Sequence, residues 1–229
     1  MSPKIKFVFM GAAHPHTRGH LRTLELMDEV SSVILWDESR EALERLREER
    51  GAKVEAVTTN LAEALGRGDA EFAFVALRND QTPEAILAAA RAGKHIMTEK
   101  PMGVSTAEIR RALDGVKQAG VTLGVCYPNR YNPIAQDIRR FVRAGVLGRI
   151  LATEMRLITS QVRFRDPGHW LFKRDLAGGG MLSWLGCHYL DLIRYLIDDV
   201  VVGVSSMSDS LCGEDIDVED GACMSMRFG

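Results

Sequence analysis

The sequence predicts an α/β protein: a parallel, doubly wound sheet over residues 1–125, then a second α/β domain over residues 126–229. Two observations carry this. Up to residue 125, short apolar runs alternate with helical patterns, the mark of βα units whose strands are buried on both faces. Beyond residue 126 the alternation stops, and longer, half-polar segments take over. The composition agrees. With 229 residues, 46 % hydrophobic, 26 % charged and a net charge of -2, the chain is globular. It is not collagen-like, mucin-like or disordered.

The elements follow in order. Ile5 to Met10 reads as a buried strand broken at Gly11, and a helix runs roughly from Thr17 to Met27. Ser32 to Trp36 is a strand ended by Asp37, and Glu38 to Arg50 is an outer helix with one apolar stripe, closed by Gly51. Val54 to Val57 is a strand, and Asn60 caps a short helix ending near Gly66. Phe72 to Leu77 is a strand. Thr82 caps the next helix, with Pro83 first inside it and Gly93 closing it. His95 to Met97, a helix from Ser105 to Ala119 closed by Gly120, and Val121 to Val125 complete the alternation. In the second domain, Tyr131 to Arg143 is a helix and Ile150 to Gln161 suits a half-exposed antiparallel strand. Arg163 to Asp175 reads as a loop. After Gly178-Gly179-Gly180, Met181 to Ile197 is apolar nearly all round, so a deeply packed helix is expected. Val200 to Ser208 and Cys223 to Phe228 are strand-like, and the chain stops inside a strand pattern, so an incomplete sequence is expected.

Composition also bounds the partners. Near-neutral charge gives no electrostatic case for nucleic acid or an anionic membrane. Cys126, Cys187, Cys212 and Cys223 form no CxxC pair and read as reduced thiols. The start, Met1 to Lys4, runs into a strand too short for a signal peptide or a membrane span, so the cytoplasm is the expected location.

In doubly wound sheets, ligands sit beyond the carboxyl ends of the strands. There the first turn, Gly11-Ala12-Ala13-His14-Pro15-His16, keeps one of the three glycines of a dinucleotide fingerprint, with Ala13 and His16 at the other two places. It is either a pyrophosphate seat or an ordinary βα turn. Asp37 stands where a carboxylate takes both ribose hydroxyls and repels a 2'-phosphate, or where it caps the next helix. Glu99-Lys100-Pro101 follows the fifth strand, and a lysine there can orient or protonate a carbonyl oxygen. His188 is an acid/base candidate or a core histidine; Asp191, one turn on, orients a partner or bridges to Arg194. The segment with Arg163, Arg165, His169, Trp170, Lys173 and Arg174 lines a pocket for polyols or carboxylates, or is a solvated loop around one tryptophan. His16 and His20 have i,i+4 spacing, but without HExxH and a nearby third ligand no metal site is expected.

Taken together, Glu99-Lys100-Pro101, the Arg130 and Pro133 segment, Gly145 to Ile150, and the three glycines followed by His188 and Asp191 resemble the Gfo/Idh/MocA oxidoreductase family. The resemblance spans essentially the whole chain. It implies an N-terminal NAD(P)-binding Rossmann fold and a C-terminal substrate and oligomerisation domain with a large, mostly antiparallel sheet, incomplete here. It further implies NAD rather than NADP given Asp37, sugar-like substrates, and homodimers or homotetramers. Lys100 matches the motif lysine that binds substrate near the nicotinamide, and His188 matches the catalytic histidine. The aspartate usual four residues earlier is replaced by Trp184, which could wall a sugar ring. Asp191, Arg130, Arg163, His169 and Trp170 are further substrate-binding candidates. Gly11, Ala13, His14, His16, Asp37, Leu77, Arg78, Asn79, Glu99 and Lys100 are the cofactor-binding candidates. The implied activity is NAD-dependent oxidation of a secondary hydroxyl on a sugar or polyol. The alternatives are an eliminase that cleaves glycosides while recycling bound NAD, and a non-catalytic nucleotide or sugar sensor.

Overall fold

The computed structural model describes residues 4–212 and 215–229; Met1 to Pro3, part of the start read above, lie outside them. The chain separates into two compact units, Met1–Cys126 and Tyr127–Gly229.

The first unit is a six-stranded, fully parallel sheet in the order β3-β2-β1-β4-β5-β6. Its strands are β1 Ile5–Met10, β2 Val30–Trp36, β3 Val54–Thr58, β4 Phe72–Val75, β5 His95–Thr98 and β6 Leu123–Val125. The connecting helices are α1 Thr17–Leu26, α2 Arg40–Arg50, α3 Leu61–Leu65, α4 Thr82–Arg91 and α5 Thr106–Ala119. Strand alternation sends Val8 and Met10 into one core with Ile34, Val75, Ile86 and Ile96. Phe9 enters the other, with Leu21, Leu24, Leu43, Leu46 and Phe74, stacking on Phe74 at 5.0 Å. Burial on both faces is why the central strands read as unbroken apolar runs.

Helix starts decide how the carboxyl edge is finished. Ser39, Asn60 and Ser105 each accept a backbone N–H two or three residues into α2, α3 and α5. No side chain caps α1 or α4, the helices that follow the two strands where the order reverses. Two expectations are corrected here. Asp37 does not cap α2, because Ser39 does. Thr82 lies one residue inside α4, and its hydroxyl donates to the Arg78 carbonyl instead.

In the second unit, a 3-10 turn Pro128–Tyr131 leads to α6 Pro133–Arg143, capped by Asn132. The expected loop holds 3-10 turns Gln161–Phe164 and Trp170–Phe172 and the single turn α7 Arg174–Ala177. A π-helical turn Leu182–Gly186 continues into α8 Cys187–Ile197. The strands β7 Val201–Asp209 and β8 Gly221–Phe228 pair antiparallel. Residues 150–160 are not a strand: among the described residues nothing pairs with them, and a ladder needs a partner for each N–H and C=O. Nor is α8 deeply packed. Within the expected helix from Met181 to Ile197, Trp184 is buried, but α8 itself has no fully buried residue; α6 and the Pro128–Tyr131 turn pack on it within the unit. No described helix is long and apolar enough to cross a membrane. All four cysteines are free thiols.

Two of the three glycines have a physical reason. Gly178 ends α7 in the left-handed region at φ 78°. Gly180 lies against the backbone of Glu219: a Cβ there would sit 1.8 Å from the Glu219 carbonyl oxygen. That carbonyl accepts the Met181 N–H, and the Glu219 carboxylate accepts those of Gly180 and Leu182 at 2.8 and 3.2 Å. Glu219 thereby caps the helix from a strand-side loop. Gly180→Ala is therefore expected to destabilise the protein by about 1–3 kcal/mol through overpacking against backbone. The check is the denaturant midpoint at unchanged slope; no shift would mean that the Glu219 loop gives way freely.

Candidate functional site

Every buried polar side chain among the described residues, Lys94 excepted, lies at or just beyond the carboxyl end of a strand in the first unit. His14 and Thr17 follow β1, Thr58 ends β3, Asn79 and Thr82 follow β4, and Thr98, Glu99 and Lys100 end β5. Lys94 sits at the opposite edge, where its ammonium donates to the carbonyls of Arg67 and Ala70 at 2.7 and 2.6 Å. It is a structural lysine, and burial pushes its pKa down. Buried polar groups cost free energy unless partnered, so eight on one edge mark that edge as built for chemistry.

Gly11 begins the site. Its φ of 113° favours glycine, and a Cβ would lie 2.0 Å from the Ala76 carbonyl oxygen, with Leu77 beside it. The turn is pinned from three sides. The Gly11 N–H donates to the Trp36 carbonyl, the Thr17 hydroxyl to the Gly11 carbonyl, and the Ala12 N–H to Asp37 Oδ2 at 2.6 Å. The other Asp37 oxygen accepts the Ser39 N–H at 2.9 Å. Ala13 is exposed beyond this turn.

Glu99 is 4 % exposed and organises the next layer. Its Oε1 lies 3.0 Å from His16 Nδ1 and also bonds His20 Nε2, while Oε2 accepts the Lys100 N–H at 3.0 Å. Burial pushes this carboxyl up, but the bonds to His16 and His20 outweigh it and hold the group well below the usual carboxylate range. His14 accepts the His16 N–H on Nδ1, and burial drives its imidazole down to about 3, so it is neutral near pH 7. Lys100 is only 2 % exposed, and its peptide bond to Pro101 is cis. Arg78 is paired with Asp80 at 2.9–3.0 Å, and Asn79 is buried beside it at 3 % exposure.

These residues fit a dinucleotide. Gly11 leaves the turn bare, and α1 begins with no side-chain cap and no acidic residue in its first turn, which suits a diphosphate. Asp37 spends one acceptor position per oxygen on backbone, and a carboxylate has about four, so ribose hydroxyls can still be bound.

In the second unit, His188 is half-buried on α8, with the Tyr127 ring edge-on at 6.0 Å. Burial raises the Tyr127 hydroxyl to about 12. Asp191 does not bridge to Arg194. It is held by both nitrogens of the Arg130 fork, with Nε to Oδ2 at 2.7 Å. That guanidinium also lies 5.3 Å from the Tyr195 ring centre. Trp184 is buried, and the Arg165 guanidinium lies 4.2 Å over its ring, so one face of the expected wall is already covered. His169 accepts the Leu171 N–H and stacks on Trp170 at 5.6 Å. Arg163 is exposed on its 3-10 turn. His20 and Tyr127 were missed as site residues. The His16–His20 spacing was visible, but the third group, Glu99, lies 79 residues from His20; for Tyr127 the sequence carries no signal.

Residues 5–127 match the family model described as oxidoreductase family, NAD-binding Rossmann fold, and residues 135–229 match the GFO/IDH/MocA C-terminal domain. Among curated relatives, 1,5-anhydro-D-fructose reductase of Ensifer adhaerens is 30 % identical over 173 residues, covering 74 % of this chain and 50 % of that protein. Myo-inositol 2-dehydrogenase of Thermotoga maritima is 25 % identical over 213 residues, covering 91 % and 61 %. The crystal structure of the WlbA dehydrogenase from Bordetella pertussis, in complex with NADH and UDP-GlcNAcA, superposes with a TM-score of 0.85 at 25 % identity, covering 100 % of this chain and 64 % of that one. The chain thus spans less than two thirds of the length of each of these relatives.

The Arg130–Asp191 pair is a two-point contact within the second unit. A double-mutant cycle with Arg130→Ala and Asp191→Asn should give a coupling of about 1 kcal/mol, at the upper end for a pair whose arginine is partly solvated. Coupling within error of zero, read from denaturation curves, would show that solvent screens the pair completely.

Proposed function

The chain belongs to the Gfo/Idh/MocA oxidoreductase family, and from that premise we propose that its protein oxidises a secondary hydroxyl of a sugar, polyol or related hydroxy compound, using NAD. The observation that carries this reading is the buried Lys100 at the carboxyl edge of β5, in line with the bare Gly11 turn and Asp37 along the same edge. The names of the relatives, a sugar-type reductase and an inositol dehydrogenase, support the substrate class.

Each residue has a part. The Gly11 turn and the start of α1 receive the diphosphate. Asp37 accepts the ribose hydroxyls and repels a 2'-phosphate, which favours NAD over NADP. The dinucleotide, when bound, supplies hydride acceptance. Lys100, shielded from water, donates to the substrate oxygen and stabilises negative charge as its proton leaves. His188 takes that proton as the general base. Tyr127, edge-on to His188, limits the ring's rotation. Homodimers or homotetramers belong to the same proposal, as the family resemblance implies.

A second reading is favoured by Trp184. It is buried under Arg165 where the family resemblance implies a carboxylate, and no proton can be taken or oriented there. On this reading the protein binds nucleotide or sugar without turnover.

The deciding experiment is a sugar and polyol panel with NAD, followed by NADH absorbance on the complete protein. Lys100→Ala and His188→Ala should each lower kcat/KM by about 10²–10⁴. Wild-type activity in both variants would remove them from the mechanism, and NAD binding without turnover of any substrate would favour the second reading. Titration with NADH and NADPH tests Asp37 separately. Asp37→Ala should weaken NADH by about 1.5–3 kcal/mol, the worth of hydrogen bonds to a charged group, and weaken NADPH less, because both lose the tie to the Ala12 N–H but only NADH loses the ribose bonds. Equal or tighter NADPH binding by the wild type would overturn the role given to Asp37.

A further inference from the structure

We propose that the first unit binds a divalent ion of the zinc class through His14, His16 and Glu99. One ligand atom from each lies within 4.8 Å of the others. A tetrahedral ion with bonds of about 2.0–2.2 Å needs its ligands about 3.3 Å apart. His16 Nδ1 and Glu99 Oε1, at 3.0 Å, are already near that spacing. To ligate, His14 releases the His16 N–H that it accepts on Nδ1 and Glu99 Oε1 releases His20, and side-chain rotations on a fixed frame then complete the set.

The frame is fixed by contacts already described. His14 and His16 sit on the turn pinned by Asp37 and Thr17, and the Lys100 N–H holds the second Glu99 oxygen, which orients the first. His14 and Glu99 are 8 % and 4 % exposed, so their ligand atoms face little competition from water. The His16 side chain is 40 % exposed and leaves an entry path and room for a solvent ligand. Two imidazole nitrogens with one carboxylate oxygen select Zn²⁺, Co²⁺ or Ni²⁺ over Mg²⁺ or Ca²⁺, which prefer all-oxygen shells. The same Glu99 also belongs to a rival set with His20 and Cys126. That set would require a half-buried thiol to ionise, and one carboxylate oxygen cannot serve both ions at full strength. The sequence expectation of no metal site rested on the lack of a third ligand near His16 and His20; the end of β5 brings one to each histidine.

Titration of metal-free, tag-free protein with Co²⁺, without nucleotide, tests the proposal. One equivalent should produce visible d–d bands with no near-ultraviolet thiolate band, and Zn²⁺ should abolish them while Mg²⁺ does not. His16→Ala should weaken Co²⁺ at least tenfold, and Cys126→Ser should leave the titration unchanged. The exposed His16 makes misfolding a small risk, and thermal melts of each variant check it; Glu99→Gln gives a second, near-isosteric disruption. Absent bands in the wild type, or bands that survive His16→Ala, overturn the site. A thiolate band lost in Cys126→Ser also overturns it and assigns the ion to His20, Glu99 and Cys126. The ion would sit on the turn that the proposed function gives to the diphosphate, so the assay leaves out dinucleotide and sugar; its failure then leaves the dehydrogenase reading standing, and failure of that reading leaves the ion site standing.

Discussion

A parallel sheet covered by helices on both faces has only its two ends left for polar groups, and every feature of the candidate site follows from that constraint. The faces of β1 are spent on Val8, Phe9 and Met10, all without solvent exposure. Chain reversals and helix starts then gather at the carboxyl edge, where backbone N–H groups point outward without partners in their own helix. Ser39, Asn60 and Ser105 satisfy theirs locally. The N-cap residues of α1 and α4 make no side-chain cap, and these helix starts flank the position where the strand order reverses. Structural finish on three helices and an open end on two is how the sheet separates scaffold from site.

Glu99 shows how tightly that edge is wired. A carboxylate so buried would be costly alone, yet its bonds to His16, His20 and the Lys100 N–H turn it into a brace between the β1 turn, α1 and the end of β5. Lys100, next in sequence, is thereby fixed at its backbone while its ammonium stays shielded from water. The glycine-poor turn is compensated by the same means. With Ala13 and His16 in place of two glycines, the turn is held by Asp37 and Thr17 as well as by backbone.

The second unit is held differently. Its described core is small, with Val162, Phe172 and Val218 buried together and Met181 and Ile216 packed on them. Polar ties do much of the ordering. Glu219 caps the helix that begins at Met181, Asp217 accepts the Arg174 N–H, and Asp198 ends α8 in the left-handed region while accepting from Arg139 and Arg143 of α6. Exposed ion pairs contribute little each, but together they set the register of α6 against α8, on which His188 and Asp191 ride.

Short-range patterning carries the parallel sheet and most element starts and stops of the first unit, because those are written within a few residues. Short unbroken apolar runs, period-3.6 apolar patterns, and Gly120 closing the helix that begins at Ser105 are all local signals. It also placed Gly11, Asp37 and Lys100 on one edge, since strand ends locate that edge. Tertiary structure alone decided what those residues do to one another: Asp37 holding the Ala12 N–H, Arg130 rather than Arg194 taking Asp191, and Glu99 reaching His20 across 79 residues. It also decided that Gly180 must be bare against Glu219. The physical reason is the same in each case. A strand, a buried ion pair or a close backbone approach needs a second partner, and the partner is chosen by how the whole chain closes, which no local pattern records.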